Sequence, residues 1–359
     1  MESKTIIQYL LIFALIFHLV NAENKKISFK CDLGSKQNIP KKAKEIPLEK
    51  LNPKYKRKLD DNRFQDFNIV IELKNIETEI ELNNLSQYHD LIINALKKAV
   101  ETMKSLVKIR PYPCFSFDED FLDDYGFHYW DKEKFGITDT KKSFDTCELN
   151  IDLLIVTRFF NETENLDNLY EFTSDLLYRR SSNDQPIVIS FILGKTIDFS
   201  KRNSKTYLEH TFLHHITHKL GFNLFHIENT FHNMFSKIDS DGVERYYINS
   251  TKVVQVAKKY FNCSDIKGVE LEEDGDNVTP HWESRILLGE YMNKEIYTEE
   301  QVISEFTLAF LEDTGYYKVN YYTGGLMRYG KNKGCKFLEE KCVNNYEINP
   351  KFENEFFDL

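Results

Sequence analysis

Two histidines four residues apart, His214 and His218, sit inside Tyr207 to Leu220, a stretch with helical spacing of its apolar residues. Positions i and i+4 share one helix face, so both imidazoles can point at a single ion from a rigid support. Gly221 follows, and glycine ends a helix readily because it accepts positive φ. A bare H-x-x-x-H pair also arises by chance, so the pair alone does not define a metal site. The glycine three residues after His218 matches the extended pattern H-x-x-x-H-x-x-G. In the short form of that pattern the third ligand falls at position 224, which here is Leu224. His226 comes two residues late.

The rest of the chain supplies the setting. It has 359 residues, 41% hydrophobic and 14% aromatic, enough for a large buried core. The net charge of −10 argues against a nucleic-acid partner, which calls for clustered excess Lys and Arg. The basic stretch from Lys41 to Lys58 reads as a solvated segment. Lys4, the apolar run Ile6 to Val20 and the small residue Ala22 read as a cleavable signal peptide over residues 1–22. The alternative, a membrane anchor, would need more than the roughly 15 apolar residues present. The acidic end, Phe352 to Leu359, lacks the apolar tail of a lipid-anchor signal. The expectation is a protein of the secretory lumen or the extracellular space, without a transmembrane segment once matured.

The six cysteines, Cys31, Cys114, Cys147, Cys263, Cys335 and Cys342, fit that address. None forms a C-x-x-C pair, so a thiolate metal site is not indicated, and three disulfides are expected. Six cysteines allow 15 pairings. Cys335 with Cys342 and Cys114 with Cys147 are the short-loop choices. Sequons at Asn84, Asn161, Asn249, Asn262 and Asn277 also suit secretion, although an Asn-rich chain generates them freely.

Along the chain, residues 23–62 are polar and contain three prolines, an extended lead segment. Strands are expected at Asn68 to Leu73, Asn150 to Arg158 and Pro186 to Leu193, and a helix at Leu85 to Val107. Beyond Gly221 the reading is polar loops, a helix near Thr251 to Phe261 and another from Ile303 to Glu312. Strands interleaved with helices point to an α+β protein with a mixed sheet packed on helices.

Longer motifs then carry a resemblance. His281-Trp282-Glu283, followed by Ile286 to Met292, then Thr307 to Asn320, then Gly330 to Leu338 with Cys342, resembles the leishmanolysin family of zinc metallopeptidases. It is strong from residue 205 on and loose from about 65 to 205. The resemblance implies a metzincin-like fold: a twisted mixed β-sheet with the active-site helix over residues 63–225, and a mostly irregular or helical C-terminal subdomain over 226–359. It implies one zinc ion held by His214, His218 and His281, with Met292 as the Met-turn residue. It also implies polypeptide substrates bound in a cleft between the subdomains.

One position departs from the family. The residue after the first histidine, a general-base glutamate in H-E-x-x-H, is His215. An imidazole that accepts a proton becomes a cation beside a dication, whereas a carboxylate becomes neutral. Of the other carboxylates, Glu209 is on the wrong face of the helix, and Glu228, Glu283 and Glu290 could reach the site only through tertiary folding. Cys31 is followed by Asp-Leu-Gly where the family has Cys then His-Asp. Ser174 to Ser182 lacks a cysteine often found there. The sequence therefore supports a secreted zinc metallopeptidase homologue impaired in catalysis. The alternative is a non-catalytic zinc-containing glycoprotein that binds peptides or serves cell adhesion.

Overall fold

The computed structural model describes residues 64–348 apart from 111–115, 160–171, 180–185, 194–198, 200–203, 225, 231–232, 240–241, 276, 296–300, 324, 341–342 and 345–346. Residues 1–22, expected to be a signal peptide, the polar segment 23–62 and Cys31 lie outside the described residues.

The first half is organised by a mixed four-stranded sheet of β2 (Ile69–Glu72), β6 (Leu153–Phe159), β7 (Phe172–Arg179) and β8 (Pro186–Leu193), in the order β2-β6-β8-β7. The pairs β2–β6 and β6–β8 are parallel, and β7 closes the edge antiparallel to β8. The apolar run of β6 follows from burial on both faces. Leu153, Ile155 and Phe159 enter the main core with helices α2 (His89–Leu106) and α3 (Ser204–Lys219). Leu154 and Val156 point the other way, into an aromatic cluster of Phe117, Phe127, Trp130, Phe135 and Phe144. That second cluster is built by residues 116–151, which include the paired strands β4 (Ser116–Asp118) and β5 (Ser143–Asp145).

Helix α2 shows the pattern that makes it legible. Ile92, Ala95, Leu96, Ala99, Met103 and Leu106 recur at three- and four-residue steps, and all are buried. A shorter helix, α1 (Lys74–Leu82), was not anticipated. It follows β2 directly and is anchored at Ile76 and Ile80, both fully buried. Fully buried Glu72 receives the backbone N–H groups of Lys74 and Asn75 at its start.

The second half corrects one reading. Residues 234–282, taken as polar loops and one helix, form an antiparallel meander: β9 (Met234–Ile238), β10 (Glu244–Ile248), β11 (Val269–Asp274) and β12 (Asn277–Trp282), in the order β12-β11-β10-β9. Strand β9 is half exposed, with Ser236 and Lys237 along it, so it gives no clean alternation of burial to read. Helix α4 (Thr251–Phe261) connects β10 to β11, and α5 (Glu305–Asp313) packs beside it through Tyr260, Phe261 and Phe306. The halves are stitched by a small sheet in which β3 (Val107–Ile109) lies between β1 (Gln65–Asp66) and β13 (Tyr317–Val319). No described helix is long and apolar enough to cross a membrane.

The expected pairing of Cys335 with Cys342 is overturned. Cys335 opens the short helix α6 (Cys335–Glu339) and bonds to Cys263, just past the end of α4, with 5.1 Å between Cα atoms. Proximity along the chain lost to proximity in the fold. Cys147 is also in a disulfide. Cys114, its expected partner, lies outside the described residues.

Candidate metal centre

Helix α3 carries His214 and His218 one turn apart, and both are buried. Its end is set by Gly221, whose φ is +129°. The turn brings the carbonyl of Phe222 back over the helix end, where it accepts the Nδ1–H of His218 at 2.7 Å. The Phe222 ring is locked between Trp282 and Phe310, at centroid distances of 5.0 and 4.8 Å.

The third histidine arrives from the meander. His281 lies on β12, fully buried, and its ring stacks on that of His214 at 5.2 Å. The Nε2 of His218 is 2.8 Å from the Nε2 of His214 and 3.2 Å from that of His281. The three facing nitrogens lie within 4.8 Å of one another. Among the described residues, no carboxylate or thiolate joins them.

The outer nitrogens decide the chemistry of the inner ones. His214 Nδ1 donates to the carbonyl of Tyr291 at 2.7 Å, and His218 Nδ1 to that of Phe222. The Thr279 hydroxyl donates to the carbonyl of Glu272 at 2.8 Å, so toward His281 Nδ1, at 3.1 Å, it acts as acceptor. Each outer nitrogen therefore carries the proton, and each Nε2 presents a lone pair inward. Three lone pairs at this range repel unless a cation lies between them. Protons are poor candidates, because burial pushes His214 down to about 4 and His218 and His281 well below the ordinary histidine value. Neutral imidazoles on one ion, each oriented by a carbonyl or hydroxyl behind it, make up the donor set that suits zinc. The triad can hold a metal ion.

Tyr291 and Met292 belong to a turn behind the triad. The Tyr291 hydroxyl is 3.0 Å from Thr217 Oγ1 on α3. Met292 is fully buried and its carbonyl accepts from Trp282 N at 3.1 Å, next to His281. His215 is buried, with its ring 5.5 Å from that of His214 and 6.0 Å from that of His218. Burial first, then neighbouring His214 and Lys219, hold it well below the ordinary value. His226 bonds Asn223 Oδ1 through Nδ1 at 3.0 Å and is not among the clustered rings. The alternative carboxylates are engaged elsewhere or exposed. Glu283 accepts from Arg285 N, Glu228 is exposed, and Glu290 bonds Ser304 and Thr307.

Residues 179–354, spanning the helix, the meander and the turn, match the family described as leishmanolysin. Over that stretch the chain is leishmanolysin-like. A leishmanolysin homologue of Crithidia fasciculata is 36% identical over 166 residues, 45% of this chain and 25% of that protein. A leishmanolysin-like peptidase of Drosophila melanogaster is 37% identical over 100 residues, 27% of this chain and 14% of that one. Leishmanolysin of Leishmania donovani is 27% identical over 135 residues, 37% of this chain and 22% of its own length. The chain thus matches a quarter or less of each of these relatives. The α+β architecture, with the histidine triad shared between a helix and a strand, is the zincin-like arrangement implied by the leishmanolysin motifs.

The sequence singled out the three histidines that the fold brings together. It missed Tyr291, Phe222 and Thr279, which orient them. Only Phe222 left a signal, since a glycine stop three residues after His218 forces the next carbonyl back toward the helix end.

Proposed function

We propose that this protein is a secreted leishmanolysin-like zinc metallopeptidase homologue with impaired peptide hydrolysis. The convergence of three inward-facing Nε2 atoms carries the metal assignment. His214, His218 and His281 are the zinc ligands in this reading, and Met292 is the Met-turn residue. Held by these three imidazoles, zinc would supply Lewis-acid polarisation of a peptide carbonyl and acidification of a water.

The chain's own residues limit the hydrolysis. The ligand rings are held by Tyr291, Phe222 and Thr279, so the metal site is organised. Among the described residues no carboxylate joins it as a proton acceptor. His215 stands where the family has glutamate, and as a neutral buried ring it gains a charge on accepting a proton. Loss of a positioned general base lowers rates by about 10²- to 10⁴-fold. Lack of a carboxylate at the triad, among the described residues, favours a second role. In that role the protein retains peptides or cell-surface polypeptides without cutting them.

Metal analysis of the purified protein tests the reading. We expect one zinc per chain, abolished by His281→Ala, together with casein cleavage far below that of an active family member. A metal-free protein would remove the zinc assignment. Chelator-sensitive cleavage at full rate would remove the impairment.

A further inference from the structure

Glu290 is a fully buried carboxylate that the chemistry above does not use, and among the described residues it makes no ion pair. Such a group is costly to bury and is retained where its hydrogen bonds hold something in place. Its partners come from three places. One oxygen, Oε2, accepts the backbone N–H of Met292. The other, Oε1, accepts Ser304 Oγ at 2.8 Å, Thr307 Oγ1 at 2.6 Å and Ser304 N at 3.4 Å. Thr307 Oγ1 in turn receives the indole N–H of Trp282 at 2.8 Å.

These bonds lead to two of the three histidines by different routes. Tyr291, between Glu290 and Met292, offers the carbonyl that holds His214. Trp282 is the residue after His281, and its backbone is tied to the same turn. Trp282 N donates to the Met292 carbonyl at 3.1 Å, and Asn293 Nδ2 donates to the Trp282 carbonyl at 3.1 Å. Glu290 thus joins the turn, the start of α5 and the strand bearing His281. We propose that Glu290 is a positioning residue for the triad. Through the Tyr291 carbonyl and the Thr307–Trp282 bridge it sets the separation of His281 from the helical pair. It touches no reacting atom.

This inference rests on the metal reading, and the test separates the two. Glu290→Gln keeps one acceptor oxygen but turns an NH₂ toward the Met292 N–H, donor against donor. Zinc affinity by chelator competition should fall about 10- to 100-fold, as for other groups behind a ligand. The d–d spectrum of the cobalt-loaded protein should also change. Ile80→Ala, in the core at α1, serves as the stability control. It should lower the unfolding midpoint while leaving affinity and spectrum at wild-type values. Should Glu290→Gln not fold, Thr307→Val breaks the same bridge at equal size and should shift the cobalt spectrum likewise. Wild-type affinity and spectrum in the variant would overturn the proposal. If the wild-type chain binds no metal, the zinc reading fails, and ¹⁵N NMR of the histidine rings decides the positioning alone. There, a His214 Nδ1–H signal that is slowly exchanging in wild type and unchanged by Glu290→Gln refutes it, while its loss supports it.

Discussion

His215→Glu places a carboxylate where a buried imidazole now stands, 5.5 Å in ring spacing from His214. On that scale, a proton added to His215 sets a unit charge against a dication at about 5 Å. With an effective dielectric of about 20, the opposing Coulomb energy is about 6 to 7 kcal/mol, or four to five pKa units. Burial already holds this ring well below the ordinary histidine value, so the two effects add in the same direction. The same field favours a glutamate anion, which a proton then neutralises. The substitution should raise chelator-sensitive kcat/KM on a quenched peptide by about 10²- to 10⁴-fold, the usual contribution of a general base. In the metal-free protein the new carboxylate is buried beside neutral rings, so the zinc-free variant should unfold at lower denaturant than wild type. Zinc should reverse that loss. The assay is peptide turnover with and without chelator, alongside urea unfolding with and without zinc. No gain in turnover from a folded, zinc-loaded variant would refute the reasoning, because the charge at position 215 would then not be what limits the site.

The same geometry sets other outcomes. His214, pushed from 6.5 to about 4, is a depressed group, so the unfolded chain binds more protons between those values. Its contribution to the stability of the metal-free protein is full above about pH 6.5 and lost as pH falls through about 4. For this ring alone the loss reaches about 2 kcal/mol by pH 5. Urea midpoints of the demetallated protein at pH 7 and pH 5 check this, and equal midpoints would contradict it. Replacing Cys263 and Cys335 by serine opens a closure of 72 residues, worth about 4 kcal/mol on the chain-entropy account, and should lower the thermal midpoint sharply. Phe222→Ala removes a fully buried ring packed on Trp282 and Phe310, and should cost about 3 to 5 kcal/mol in chemical unfolding. A loss under about 1 kcal/mol would show that the turn orienting His218 is not held by that packing.

Elements with one strong period were legible. Helix α2 presents a full apolar stripe, and β8 and α4 begin and end at the residues the sequence indicated. Helix α1 was missed because two buried isoleucines in nine residues make a weak signal. The meander was missed because its half-exposed strands carry Lys, Glu and Tyr on both faces. The disulfide was misread because short separations were preferred, while Cys263 and Cys335 meet only through the packing of α4 against α6.

The sequence by itself determined the helical pair, since a spacing of four residues and a glycine stop are local facts of backbone geometry. Its long motifs carried the leishmanolysin resemblance, and the letter at 215 is histidine. What the fold alone decided was convergence. His281 is 63 residues from His218 along the chain, and only the register of β12 against β11, with the turn at Tyr291 behind it, brings the Nε2 atoms to 3.2 Å. Hydrogen bonds to two backbone carbonyls and the Thr279 hydroxyl then chose the tautomers. The glycine stop hinted at the Phe222 carbonyl, but a backbone carbonyl has no residue type, so no pattern of letters announced that of Tyr291.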